Sequence, residues 1–200
     1  MKLYLNKTSP YARLAMVVAH EKGLAHRIEL VWTDPWTEAA ELLAANPFSR
    51  VPTLVTDDGQ PVADSACICE YLDEVGGGRR LLPAAGGDRL RALSMYGLGR
   101  GLIDAAFGVT IDRRFHESGA KLVLAERWLT AIRRALEKLD RDDTLLRPTE
   151  APDLGDLAIG VGLSYTEFRL PEVQWKVFNH LRAWHERLAA RPSMRLSAPE

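Results

Sequence analysis

The chain begins with a short segment, Lys2 to Leu5, that is apolar at alternate positions and is followed by the polar run Asn6 to Ser9. Alternation over so few residues predicts a strand. Beyond Pro10 the apolar positions Leu14, Val17 and Val18 recur at helical spacing, which predicts a helix with one buried face. Ser9 suits its N-cap, and Pro10 suits the first helical position, where the missing N–H would be unpaired anyway. Gly23 suits the terminator. Arg27 to Val31 alternates again, and a Thr-Asp-Pro loop then leads into a short helix rich in alanine and leucine around Thr37 to Ala45. The order so far is βαβα, which implies a right-handed parallel crossover.

The pattern then changes. Val51 to Val55 is followed by the hairpin signal Asp57-Asp58-Gly59 and a second short strand at Pro61-Val62. From Asp64 the spacing is helical once more, with Ile68, Tyr71, Leu72 and Val75 on one stripe, and it ends at Gly76-Gly77-Gly78. Gly76 to Asp88 is the one linker candidate. Everything after it has helical period. Leu122, Ala125, Leu129, Ile132, Leu136 and Leu139 step by three and four, as do Leu181, Trp184 and Leu188. Asp153 and Asp156 form a capping-box variant at the start of a further helix. The expected organisation is a βαβαββα domain over residues 1–78, a linker at 79–87 and an all-helical domain over 88–200.

Composition narrows the function classes. With 200 residues and 46% hydrophobic positions the chain can bury a core, so disorder is excluded as its main state. Its 26 basic and 27 acidic residues nearly cancel, which leaves no global field to attract nucleic acid or an anionic membrane. The longest run without a formal charge, Leu157 to Thr166, is about half of the roughly 18–20 residues a spanning helix needs. The N-terminus turns polar at Asn6 with no apolar signal region, so a cytoplasmic location is expected. Cys67 and Cys69, the only cysteines, fit neither a disulfide framework nor a C-x-x-C motif, and the five histidines show no metal-ligand spacing.

In three places local structure and chemistry coincide. Ser9 brings a hydroxyl and free backbone N–H groups to a strand-to-helix turn, either as a plain helix cap or as a place to stabilise a negative charge. Val51-Pro52 starts a strand, either as an ordinary trans proline at a sheet edge or as a cis bond that presents the Val51 backbone to a ligand. Asp64-Ser65 starts the next helix, either as a cap or as a pair that holds an ammonium and a carboxylate together, as an amino-acid head group requires.

Read in order, Thr8-Ser9-Pro10-Tyr11-Ala12-Arg13, Asn46-Pro47 through Val51-Pro52, Asp64-Ser65 and Asp153 to Asp156 resemble the glutathione S-transferase family over essentially the whole chain. Those segments are similar to the family's activating segment, cis-proline loop, γ-glutamyl site and buried N-capping box. The likeness is nearest to bacterial members with serine in the activating position. It implies a thioredoxin-like N-terminal domain joined to an all-helical C-terminal one. It also implies that Ser9 is catalytic, holding the sulfur of the co-substrate glutathione as thiolate. Arg50 would approach a glutathione carboxylate, the Val51 backbone with Pro52 would meet the cysteinyl part, and Asp64 and Ser65 would hold the γ-glutamyl group. Tyr11, Asp104, Phe107 and Tyr165 would wall a site for a small hydrophobic electrophile in a cleft between the domains. No metal is implied. The family usually forms homodimers, and detoxification is the usual service.

Two departures bear on the chemistry. Serine rather than cysteine at position 9 removes the nucleophile for mixed-disulfide exchange, and Asp64 stands where Glu or Gln is more usual, one methylene shorter. The competing classes are a glutathione-dependent peroxidase or reductase of the same fold, and a protein-binding module like the stringent starvation proteins. Retention of Ser9 and Asp64-Ser65 speaks for the transferase.

Overall fold

The computed structural model describes residues 1–116, 123–142, 146 and 148–198, and the chain divides into two compact units. One is Met1–Leu82 together with the segment from Pro192 onward, and the other is Pro83–Arg191.

The first unit is a four-stranded sheet in the order β2-β1-β3-β4. β1 is Lys2–Leu5, β2 Glu29–Trp32, β3 Thr53–Val55 and β4 Pro61–Ala63. β1 and β2 are parallel, whereas β3 runs antiparallel to both β1 and β4. This is the thioredoxin-like βαβαββα arrangement. Between β1 and β2 lies α1 (Pro10–Glu21), whose Leu14, Val17 and Val18 have no exposed surface. Its ends follow the local chemistry: Ser9 is the N-cap, Pro10 takes the first position and Gly23 adopts a φ of +68° just after Lys22. The helix α3 (Ser65–Val75) buries Ile68, Cys69 and Leu72, while Tyr71 is half-buried and Val75 and Cys67 are exposed.

Three elements differ from the sequence reading. The second strand starts at Glu29 rather than Arg27, because Ala25–Arg27 closes a 3-10 turn in which the Arg27 and Ile28 amides bond back to Leu24 and Ala25. The helix expected around Thr37 to Ala45 is split into a 3-10 turn, Pro35–Thr37, and α2 (Ala40–Ala45), with Glu38 left-handed between them at φ 50°. The third strand is also shorter than expected, since Pro52 has no N–H to give to a ladder.

Among its described residues the second unit has helices and no strand: α4 (Gly86–Phe115), α5 (Val123–Arg141), α6 (Leu154–Arg169) and α7 (Asn179–Ala189), with short 3-10 turns before α7. Leu122, expected on the α5 stripe, lies outside the described residues. Ala125, Ile132, Leu136 and Leu139 are buried as their spacing predicts. The uncharged run Leu157 to Thr166 belongs to α6, which is buried on nearly all sides by its neighbours. Glycines allow the close approach: a Cβ on Gly99 of α4 would lie 2.6 Å from the Ile159 amide nitrogen of α6, and one on Gly155 would meet Met95 and Ala92. At the start of α6, Asp153 and Asp156 complete a reciprocal capping box, and both carboxylates pair with Arg91 of α4. Among the described residues no helix is long and apolar enough to cross a membrane.

The sequence reading assigns 88–200 to the helical domain. In the structure the final helix, α8 (Pro192–Leu196), packs on α1 and groups with the first unit. Polar contacts fix it there: Arg13 Nη2 donates to the Met194 carbonyl at 3.2 Å and Ser193 Oγ donates to Glu21.

Candidate active site at one end of the sheet

The strand register gathers the candidate residues of the first unit. Tyr4 of β1 pairs with Thr53 of β3, and Thr53 pairs with Ala63 of β4. The chain leaving β1 toward Ser9, the chain entering β3 through Val51-Pro52 and the chain leaving β4 into Asp64-Ser65 therefore emerge at one end of the sheet. Leu5 pairs with Trp32, so the loop after β2 emerges there too.

Ser9 is half-buried, and its Oγ accepts a hydrogen bond from the Ala12 amide at 3.2 Å. A hydroxyl has one proton to give besides the lone pairs with which it accepts. While capping α1, Ser9 thus keeps a donor available, beside the positive end of a three-turn helix.

The Val51-Pro52 bond is cis. The loop before it is organised by Asn46, only 2% exposed, whose Nδ2 donates to Thr53 Oγ1 at 2.9 Å and to the Arg50 carbonyl at 3.3 Å. The Asn46 Oδ1 accepts from the Phe48 amide, and Thr53 Oγ1 donates to the Arg50 carbonyl at 2.8 Å. Arg50 is exposed, with its guanidinium 5.8 Å from the centre of the Phe48 ring. The sequence reading names Asn46 only as the start of this loop; an amide four residues before a carbonyl it bonds is the signal that it organises the turn.

Asp64 is the N-cap of α3, accepting from the Ala66 amide at 2.7 Å, and its backbone has φ 71° and ψ 132°. A non-glycine residue held there costs about 1–3 kcal/mol, and such conformations cluster at ligand sites. Ser65, at the first helical position, is 2% exposed.

The four residues expected to wall an electrophile site divide between the units. Tyr11 is half-buried on α1. Asp104 and Phe107 lie one turn apart on α4, the first exposed and the second half-buried. Tyr165 on α6 is 4% exposed. Burial pushes its phenol pKa up, opposed by hydrogen bonds with Thr110 and Arg169. Among the described residues no group of three or more His, Cys, Asp or Glu side chains is placed to hold a metal ion.

The chain and its fold have counterparts among known proteins. Residues 8–75 match the glutathione S-transferase N-terminal domain family. The whole chain aligns, at 30% identity and over 98% of the relative, with the uncharacterised GST-like protein YibF of Escherichia coli (strain K12). A glutathione transferase family member from Pseudomonas fluorescens Pf-5, solved with bound glutathione, superposes with a TM-score of 0.91 at 30% identity, covering 100% of this chain and 98% of that one. A glutathione S-transferase from Methylobacillus flagellatus KT, also with glutathione bound, gives 0.89 at 28% identity, covering 100% and 99%. The chain belongs to the glutathione S-transferase family.

Proposed function

We propose that the protein is a glutathione transferase of the serine type, in which Ser9 stabilises the glutathione thiolate for attack on a small hydrophobic electrophile. The observation that carries this reading is the convergence of Ser9, Val51-Pro52 and Asp64-Ser65 at one sheet end, with the Ser9 hydroxyl still able to donate. A thiol of pKa about 8.5 is only roughly 3% ionised at pH 7, and lowering it by about two units makes roughly three-quarters of it thiolate. A charge-assisted hydrogen bond and a helix N-terminus together supply the ~2.7 kcal/mol this takes. The thiolate belongs to the co-substrate, so the protein's task is to bind, orient and stabilise it.

In this reading the Val51 backbone meets the cysteinyl part, Arg50 approaches a carboxylate, and Asp64 with Ser65 takes the γ-glutamyl ammonium and carboxylate. Asp64 is one methylene shorter than Glu, and its backbone is held at a positive φ of 71°. In the first unit, Tyr11 of α1 contacts the electrophile. The protein works as a homodimer in the cytoplasm, in detoxification; sedimentation equilibrium giving a monomer at micromolar concentration would remove the dimer from this account.

The test is calorimetric titration of glutathione into the wild type, Ser9→Ala and Ser65→Ala. Ser65→Ala is expected to weaken binding strongly. Ser9→Ala is expected to bind glutathione but to lose the ultraviolet absorbance of the bound thiolate. No binding to the wild type at millimolar glutathione would overturn the reading.

A further inference from the structure

Arg13 joins the Ser9 end of α1 to a segment from far along the chain. Its amide closes the first turn of α1 on the Ser9 carbonyl at 3.0 Å, while its side chain leaves the helix and donates from Nη2 to the Met194 carbonyl of α8 at 3.2 Å. That carbonyl is the guanidinium's one hydrogen-bond partner among the described residues, and Nε is buried without any. Burial lowers the guanidinium pKa only to about 10, so the group stays cationic at neutral pH and the bond is charge-assisted. At the other end of α1, Glu21 accepts from Ser193 Oγ. Ser193 and Met194 are 3% and 1% exposed. A helix of five residues is far too short to hold itself in water, so α8 takes its place from these contacts with α1.

What α8 carries is a wall. A cavity of about 340 Å³ opens at the start of α1, with Asn6 and Ser9 among its polar lining and Met16, Leu30 and Trp32 among its apolar lining, and residues 196–198 close it. It is the space beside Ser9. Ser197 Oγ donates to the Ser193 carbonyl at 2.7 Å and the Ala198 amide to the Arg195 carbonyl at 3.3 Å, so residues 196–198 fold back on α8 and go where it goes. Leu196 is 70% exposed, and a group bound beside Ser9 would cover part of that apolar surface.

We propose that Arg13 is a positioning residue: by holding the Met194 carbonyl it fixes α8, so that residues 196–198 wall the space beside Ser9 and Leu196 sets how well an apolar group on the glutathione sulfur is covered. The inference rests on the glutathione reading of Ser9 and adds to it a wall supplied by α8 and the residue that holds that wall in place.

The test is calorimetric titration of glutathione, S-methylglutathione and S-hexylglutathione into the purified full chain. Each methylene fully covered is worth about fourfold, so covering two of those that hexyl adds makes it at least about tenfold tighter than methyl in the wild type. Arg13→Met, which has no donor for the Met194 carbonyl, and Leu196→Ala, which trims the wall and leaves Arg13 in place, are each expected to cut that preference to about threefold or less. Arg13→Lys keeps a donor and is expected to retain more of it than Arg13→Met. Hydrogen exchange followed by mass spectrometry is the second readout, with the amides of residues 193–198 expected to exchange faster in Arg13→Met than in the wild type, and thermal melts confirm that each variant is folded. No hexyl preference in the wild type, a preference kept within twofold of the wild type in folded Arg13→Met or Leu196→Ala protein, or unchanged exchange of residues 193–198 in Arg13→Met would overturn this inference and leave the glutathione reading standing. No binding of glutathione itself would overturn both.

Discussion

Asp73→Asn tests the most deeply buried charge pair among the described residues of the first unit. Lys22, the residue that ends α1, places its ammonium 3.0 Å from the Asp73 carboxylate of α3, and both side chains are 1% exposed. The ammonium also donates to the Arg79 carbonyl at 2.9 Å. The carboxylate accepts from the Leu81 and Leu82 amides at 2.8 and 2.9 Å. The pair therefore ties together the ends of two helices and the segment that follows them. Asparagine keeps the shape and one acceptor, but strands the ammonium and turns an amino group toward an N–H donor. Removing one partner of a buried pair costs about 3–5 kcal/mol. At ~2–4 °C per kcal/mol for a chain of this size, the melting temperature should fall by roughly 6–20 °C. Lys22→Met leaves the carboxylate with two charge-assisted hydrogen bonds and should cost less, about 2–3 kcal/mol. The double variant removes both charges and should be less destabilised than the sum of the singles by at least about 1.5 kcal/mol. Calorimetry alongside far-ultraviolet circular dichroism is the assay, because two units need not unfold together. An Asp73→Asn protein within about 1 kcal/mol of the wild type, or strict additivity in the double variant, would refute the claim that this pair is desolvated and coupled.

Gly99→Ala should destabilise the helical unit by about 1–3 kcal/mol or more, because the new methyl meets α6 backbone and not a yielding side chain; urea denaturation reads it. Asp153→Ala should cost roughly 2–4 kcal/mol, since it removes both the α6 cap and a partner of Arg91, and Asp153→Asn should recover part of that in the same assay. Burial lowers the His20 pKa below its ordinary value against an opposing pull from Glu21, so the folded state favours the neutral ring. Its contribution is present above the unfolded pKa of about 6.5 and is lost as pH falls through the lower folded value. Stability measured from pH 7.5 down to pH 4.5 should therefore decline less steeply in His20→Gln than in the wild type, and identical slopes would refute the assignment.

Residues 1–75 were largely legible because the signals there are local. Ser9, Pro10 and Gly23 mark both ends of α1 by rules involving only a few neighbouring residues, and Asp57-Asp58-Gly59 marks the turn between β3 and β4, where Gly59 takes a φ of +83°. The split of α2 was harder to read: Thr37 to Ala45 has helical composition, and the left-handed Glu38 interrupts it without a glycine to announce the break. The cis isomer at Val51-Pro52 is not readable from local propensity, since an isolated X-Pro bond is trans by default; only the resemblance of the segment Asn46 to Pro52 to the family's cis-proline loop points to it.

The order βαβαββα, a helical remainder, the capped helix starts and the absence of a charge excess all follow from hydrophobic period, capping residues and composition, because each depends on residues close together in the chain. Tertiary structure alone decided which of these come together. The register of Tyr4 with Thr53 and of Thr53 with Ala63 brings Ser9, Val51 and Asp64 to one sheet end. The return of Pro192–Leu196 to α1 closes a cavity beside Arg13, and Lys22 finds Asp73 fifty-one positions away. Such pairings rest on burial and on the exchange of water for a distant partner, and neither leaves a mark on the residues' immediate neighbours in the sequence.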